Sequence, residues 1–409
     1  MNKELIIAFS LYGIGGAQRR AFNLANQFAQ NGYTVYILAV WGTDSTIKDE
    51  NYYHLNDKIN IVIVPEFYKK NKNRNTVVKS DRIIHRKIST LKKIQYIAKP
   101  FKKLLHKISY KLKCYRECID TRSFLLQHKN STIISFGFNI FDKIYYAAKG
   151  LKCKIIYAET NSSDKYSRDR FFAYTSKSIK KSDALVFQTN EEKAEHQIPE
   201  SKKAYVIHNP IKPNLPQPYE GIRNKTIVNF CRLSPQKNLM LLVQAFEKLH
   251  FEFPDYKLEL YADTGASNIS KEKKELTYYI QNKNLSDCVF LLPPSSDIHN
   301  IILKSAMFVS SSDYEGISNS MIEAMAIGLP CVCTDCGGGG AREMITDGES
   351  GLLVPIGDAE ALKNAMARMI TEDGLAEKCS KNAAKIRETH SIEKISKKWL
   401  EVIKSVNGD

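Results

Sequence analysis

The chain has 409 residues, of which 43% are hydrophobic and 25% charged, and its mean hydropathy lies slightly below zero. These values predict a soluble globular protein of about two domains and exclude a fibre, a disordered chain or one small module. Sixty Lys or Arg against 44 Asp or Glu give a net charge of +16, which invites a nucleic-acid or membrane reading.

No apolar run approaches the ~20 residues of a membrane span. The start, Met1 to Phe9, reads as a short apolar strand without the long apolar region and small-residue cleavage site of a signal peptide. Nine cysteines without framework spacing predict a reducing, cytoplasmic location.

In chain order, Leu5–Ser10 predicts a buried strand. Gly13-Ile14-Gly15-Gly16-Ala17-Gln18-Arg19 then forms a glycine-rich turn into a helix over Ala17–Asn31. Glycines there let backbone approach a phosphate or sugar, although the turn is neither G-x-G-x-x-G nor a Walker loop. Further strands are expected at Tyr33–Trp41 and Asn60–Val64.

The charge then concentrates. Lys69 to Arg116 holds seventeen Lys or Arg and one acid, Asp81, so this segment carries the whole chain's excess. Ile84, Ile88, Leu91, Ile94, Ala98, Phe101, Leu105, Ile108 and Leu112 recur at helical spacing, with a bend expected near Pro100. Lys92, Lys93, Lys99, Lys102, Lys103 and Lys107 make this a basic amphipathic helix suited to an anionic membrane surface. A core-packing helix with a solvated lysine face is the plainer alternative. Nucleic acid ranks third, because no base-reading motif lies near the aromatics of this stretch.

Strands at Ser131–Phe136, Cys153–Ala158 and Asp183–Phe187 continue the first half. Pro210, Pro213, Pro216 and Pro218 then mark a linker. Alternation restarts with strands at Thr226–Cys231, Lys257–Tyr261, Cys288–Leu292, Ala306–Ser310 and Cys331–Thr334. Helices are expected at Leu239–His250, Asn319–Ile327, Ala359–Ile370 and Ile392–Val406. Two α/β halves with parallel sheets imply a cleft at the carboxyl ends of the strands, where ligands bind in such folds.

Ser310 to Met325 is the most informative stretch: a strand end, a polar loop and a helix start near Ser318. Loop and helix N-terminus offer N–H groups and a positive dipole end for a phosphate. Glu315 and Glu323 near such a site suit the hydroxyls of a ribose or hexose; solvated acids beside a helix cap are the alternative. Arg232 and Lys237, at the end of the first strand of the second half, are placed to neutralise a diphosphate. Cys331-x-Cys333-x2-Cys336 lacks a second pair or a nearby His for a metal site and is read as structural. His208 and His299 are isolated in sequence, and core or surface roles are expected for both.

These residues carry a resemblance. Glu315-x7-Glu323, Gly328-Leu329-Pro330-Cys331-Val332 and Gly348-Glu349-Ser350-Gly351-Leu352-Leu353-Val354-Pro355 resemble glycosyltransferase family four. Arg232 to Asn238, His208-Asn209-Pro210-Ile211 and Gly15-Gly16-Ala17-Gln18-Arg19 match its other blocks. The likeness is strong across 205–371 and weakens across 42–130. It implies the GT-B fold: two Rossmann-like domains with parallel sheets facing a central cleft. The expected division is an acceptor-binding domain over 1–210 with the basic insertion at about 69–116, and a nucleotide-sugar-binding domain over 211–388. A C-terminal helix over 389–409 follows, with packing back on the first domain as one docking the sequence allows.

By the same resemblance Glu323 would hold the donor ribose and Glu315 the donor sugar. Arg232 and Lys237 would bind the diphosphate. Gly316, Ile317, Ser318 and Asn319 would hold sugar and phosphate, and Gly15 and Gly16 would approach from the other half. Two departures stand out. Many relatives have a first-domain histidine on the donor sugar; the matching stretch here is Ala158-Glu159-Thr160-Asn161, so Glu159 or Asn161 is the expected acceptor or sugar contact. The turn at Tyr261-Ala262-Asp263-Thr264-Gly265 has one glycine where relatives often have several.

The expected activity is retaining transfer of a hexose or N-acetylhexosamine from a nucleotide sugar, with UDP as the expected nucleotide, to a lipid-linked or cell-surface glycan precursor. No metal or other cofactor is expected. The expected location is cytoplasmic, on the inner face of the cell membrane. A sugar-nucleotide epimerase of the same architecture and a basic nucleic-acid-binding protein are the alternatives.

Overall fold

The computed structural model describes residues 3–10, 16–41, 55–64, 118–160, 178–263 and 271–408. The basic segment, with Lys92, Lys93, Lys99, Lys102, Lys103 and Lys107, lies outside the described residues, as do Gly15, Asn161, Thr264 and Gly265.

The first sheet has seven parallel strands: β1 (Glu4–Ser10), β2 (Thr34–Trp41), β3 (Ile59–Ile63), β4 (Thr132–Phe136), β5 (Lys154–Ala158), β6 (Ala184–Phe187) and β7 (Ala204–Val206), in the order β3-β2-β1-β4-β5-β6-β7. Helices α1 (Gly16–Gln30), α2 (Phe138–Ala148) and α3 (Asn190–Glu195) connect strands of this sheet. Leu5, Ile6 and Ile7 are fully buried, the continuous apolar run expected of a parallel strand covered on both faces.

The second sheet comprises β8 (Thr226–Arg232), β9 (Lys257–Asp263), β10 (Val289–Leu292), β11 (Met307–Ser310), β12 (Cys331–Thr334) and β13 (Leu352–Val354), all parallel, in the order β10-β9-β8-β11-β12-β13. Its helices are α4 (Leu239–Glu252), α5 (Lys271–Asn282), the short α6 (Ile298–Ile301), α7 (Asn319–Ala326), α8 (Gly340–Met344), α9 (Ala359–Thr371) and α10 (Leu375–Ala384). One apolar cluster joins the sheet to α4 and α9, and another joins it to α7.

Both sheets reverse their order beside their first strand, between β1 and β4 and between β8 and β11. Such switch points are where strand ends diverge and leave room for a ligand. The start of α1 and the loops after β8 and β11 therefore carry the site. This is the GT-B architecture.

The last helix, α11 (Ile392–Asn407), returns to the first domain. Its Ile392, Ile395, Trp399, Val402, Ile403 and Val406 lie in the same apolar cluster as β1 and β4, and Trp399 is fully buried. Ser391 caps it by accepting from the Lys394 N–H, and Gly408 closes it in the left-handed region. The domains are thus joined twice, between β7 and β8 and again just before α11. No helix among the described residues is long and apolar enough to cross a membrane.

Candidate active site

The site is assembled from two loops that lock together. After β8, a single 3-10 turn over Pro235–Lys237 ends at Asn238, whose left-handed backbone (φ 42°) reverses the chain and whose side chain caps α4. After β11, Ser311 donates to the carbonyls of Lys237 and Asn238, both at 3.0 Å. Gln236 Nε2 donates to the Tyr314 carbonyl at 2.8 Å, and Asp313 N–H to the Gln236 carbonyl at 2.9 Å. These bonds fix Lys237 against Glu315, and the two form an ion pair. Burial pulls the Lys237 ammonium down, but Glu315 outweighs it and holds the group above its ordinary range, so it stays charged. Arg232 is exposed at the end of β8, and its charge bears on Lys237.

Gly316 to Asn319 run from this pair into α7. Gly316, Ile317 and Ser318 are buried. Gly340 permits the loop's course, since a methyl group there would run into the Gly316 carbonyl oxygen. One turn into α7 sits Glu323, 2% exposed. Its Oε1 lies 2.5 Å from Arg19 Nη2, and its Oε2 lies 2.8 Å from His299 Nε2. Burial pushes this carboxyl up, yet Arg19 and the His299 hydrogen bond outweigh it and hold the group below the ordinary carboxylate range. His299 is itself packed edge-on against Phe230. Glu323 is thus a buried, ionised acid oriented from both domains.

The first domain meets this loop directly. Gly16 abuts Asn319 so closely that a side chain would collide with the Asn319 amide. Arg20, 4% exposed, donates to Asn209 Oδ1 at 2.8 Å and to the Glu159 carbonyl at 2.6 Å. Asn209 in turn donates to the Ile317 carbonyl, with Asn319 Oδ1 at the same 3.1 Å. The Ile317 N–H points to Gln188 Oε1 at 3.4 Å. The N-terminal ends of α1 and α7 therefore converge on one point, and two positive dipole ends there favour an anion.

The structure brings together Gly16, Arg232, Lys237, Glu315, Gly316, Ile317, Ser318, Asn319 and Glu323. Glu159 sits deeper. Its side chain is fully buried, and its carboxylate accepts from Tyr157 Oη at 2.5 Å and from the Thr160 N–H at 2.7 Å. Contact with a sugar or acceptor would require those bonds to be given up.

His299 and His208 are not the isolated residues their sequence positions predict. His299 supports Glu323. His208 Nδ1 lies 3.0 Å from His390 Nε2, with the rings parallel, and its Nε2 lies 3.0 Å from Glu343. Their partners stand far away along the chain, which is why spacing hides them. Arg20, Gln188 and Glu192 also carry no local motif. Cys331, Cys333 and Cys336 are buried thiols whose burial raises them above the ordinary range. Among the described residues no group of three or more His, Cys, Asp or Glu is placed to hold a metal ion.

Residues 218–386 match the sequence profile of the family described as "Glycosyl transferases group 1". The match lies within the second domain, which is similar to that family. The matched stretch contains Arg232, Lys237, Glu315, His299 and Glu323, so it holds most of the assembled site.

The chain is 33% identical over 167 residues to an N-acetylgalactosamine-N,N'-diacetylbacillosaminyl-diphospho-undecaprenol 4-alpha-N-acetylgalactosaminyltransferase of Campylobacter jejuni. That match covers 41% of this chain and 43% of the relative. It is 23% identical over 408 residues to an uncharacterized glycosyltransferase of Haemophilus influenzae, covering 98% of this chain and all of that one. An exopolysaccharide phosphotransferase of Streptomyces coelicolor is 31% identical over 187 residues, 46% of this chain. The chain spans 19% of that relative's length, so it matches only a minor part of it. In structure it resembles a Staphylococcus aureus TarM variant in complex with Fondaparinux, alpha-GlcNAc-glycerol and UDP, with a TM-score of 0.75 and 16% identity over 97% of this chain and 99% of that one.

Proposed function

We propose that the protein is a retaining glycosyltransferase that moves a hexose or N-acetylhexosamine from a UDP-sugar to a lipid-linked or cell-surface glycan precursor. The observation that carries this reading is the clustering of the Lys237–Glu315 pair, the Gly316–Asn319 loop and the ionised Glu323 around the converging ends of α1 and α7. Fixed cations, dipoles and a desolvated carboxylate are what a nucleoside diphosphate with a sugar attached requires.

In this reading Glu323 accepts hydrogen bonds from the ribose hydroxyls. Lys237 and Arg232 meet the diphosphate, and Glu315, while paired to Lys237, orients the donor sugar. As the bond from sugar to diphosphate lengthens, negative charge grows on the departing oxygen. Lys237, Arg232 and the N–H groups of the Gly316–Asn319 loop are already in place to stabilise it, which is electrostatic catalysis without reorganisation. The acceptor enters on the face the diphosphate leaves, through an oxocarbenium-like state, and the anomeric configuration is kept. The site residues act without a metal ion.

The UDP in the TarM complex and the diphospho-undecaprenol acceptor in the Campylobacter relative's name support the choice of donor and acceptor class. The basic segment Lys69 to Arg116 supports docking on the inner face of an anionic membrane. A thermal-shift panel of nucleoside diphosphates and nucleotide sugars, run on wild type and Glu323→Ala, tests the reading. Stabilisation by UDP and one UDP-sugar, lost in the variant, is expected. Stabilisation by RNA or DNA alone would overturn it, and recovery of an isomerised donor without transfer would indicate an epimerase.

A further inference from the structure

Behind the first-domain wall of the cleft lies a group of buried acids. Glu159 and Glu192 are 1% and 0% exposed, and Arg20 is the buried cation beside them. Arg20 spends its hydrogen bonds on the Glu159 carbonyl and on Asn209, not on a carboxylate, and its guanidinium lies over the Phe136 ring, 4.8 Å from the centroid. The two acids are treated differently. Glu159 has Tyr157 Oη and the Thr160 N–H on its carboxylate, with His196 Nε2 at 3.4 Å. Glu192 accepts from the Gln188 N–H at Oε2, at 2.9 Å, while its Oε1 is buried without a hydrogen-bond partner.

That unpartnered oxygen is aimed across the domain junction. A methyl placed on Gly316 would lie 2.6 Å from Glu192 Oε1 and 2.8 Å from Gln188 Nε2. Glu192 thus lies against the loop that leads from Glu315 into α7, in space that a side chain at Gly316 would take.

We propose that Glu192 is a positioning residue for the transfer reaction, seating the Gly316–Asn319 loop through its contact across the domain junction. The proposal rests on the reading of the cleft as a donor site. Of the two buried acids, Glu192 is the one with a carboxylate oxygen left without a donor, so it is the one that holds a proton when the junction is closed. Burial first, then the charges of Glu159 and Glu195, push it up to about 8, against the Gln188 N–H and Arg20, which act in the opposite direction. The other charged groups nearby are committed elsewhere: Glu191 pairs with Arg342 on α8, and Glu315 pairs with Lys237. Above that point the ionised carboxylate demands water or a donor for Oε1, which has none in the closed junction, and the junction opens.

The test is nucleotide affinity against pH, measured with UDP on wild type, Glu192→Gln and Glu192→Ala between pH 6 and pH 10, alongside their melting temperatures. Wild type is expected to lose about tenfold or more in UDP affinity as pH rises through 8, a change of ~1.4 kcal/mol. Glu192→Gln, which cannot ionise, keeps the neutral-pH affinity and lacks the alkaline loss. Glu192→Ala, which leaves the loop unsupported, binds more weakly at every pH. Comparing the proteins cancels the titration of UDP itself. The same alkaline loss in Glu192→Gln, or a weakened neutral-pH affinity in a Glu192→Gln protein that melts like wild type, would overturn the proposal alone. Failure of UDP to bind wild type at any pH would overturn the donor-site reading and the proposal with it.

Discussion

Arg19 of α1 and Glu323 of α7, which belong to different domains, meet at 2.5 Å in the floor of the cleft. The pair is more than a domain contact, because the second carboxylate oxygen is taken by His299. An acid held from two sides is oriented before any ligand arrives.

Glu323→Gln keeps the shape of the side chain and removes its charge. Hydrogen bonds to a charged acceptor contribute about 1.5–3 kcal/mol, so UDP affinity is expected to fall tenfold to a hundredfold by calorimetry. His299→Phe removes one donor and leaves the carboxylate, and an intermediate loss is expected. Equal UDP affinity in all three proteins would remove Glu323 from the donor site.

Gly340→Ala tests the loop that follows Glu315. A methyl there meets the Gly316 carbonyl oxygen, and backbone cannot move aside as a flexible side chain would. A destabilisation of about 1–3 kcal/mol is expected from such overpacking, read as a lower denaturation midpoint. Gly348, where an added Cβ meets nothing within 4 Å but φ is +71°, provides a comparison in which only backbone strain acts.

The stacked histidines predict acid sensitivity. Burial, then the neighbouring His208 and Lys398, push His390 down to about 4, and burial likewise lowers His208. Between the ordinary histidine range and pH 4 the folded chain therefore binds fewer protons than the unfolded one. Stability is fully present above about pH 6.5 and is lost as pH falls toward 4. Melting temperatures of His390→Gln should fall less steeply than wild type over that window. Parallel curves would show that the pair does not control acid unfolding.

Trp399 tests the returning helix. It is fully buried among residues of the first domain, and Trp399→Ala is expected to cost about 3–5 kcal/mol. If the first domain folded independently of α11, its melting would be unchanged.

The second domain was largely readable from the residues. Strand Cys331–Thr334 is observed with the bounds its apolar run implied, and α4 and α9 extend the expected helices by one or two residues. Such segments announce themselves because parallel strands and one-faced helices have distinct apolar periods. Glu315 and Glu323 were visible because helix geometry ties their spacing to one loop and one turn. The short β7 and β13 and the small α3 and α8 were not, since three to six residues carry too little period to register. His299, Arg20 and Glu192 were hidden for another reason: their significance lies in partners that only the folded chain brings near.

The return of α11 to the first domain also orders events during synthesis. Domains generally form as units while the chain emerges, the N-terminal one first. Here the first domain's interior includes Trp399, Ile403 and Val406, which leave the ribosome after the whole second domain. The nascent first sheet must wait, with an apolar surface uncovered, until the second domain has been made in full. Premature termination anywhere in the second half would therefore release a first domain with an open core, and such fragments are expected to aggregate.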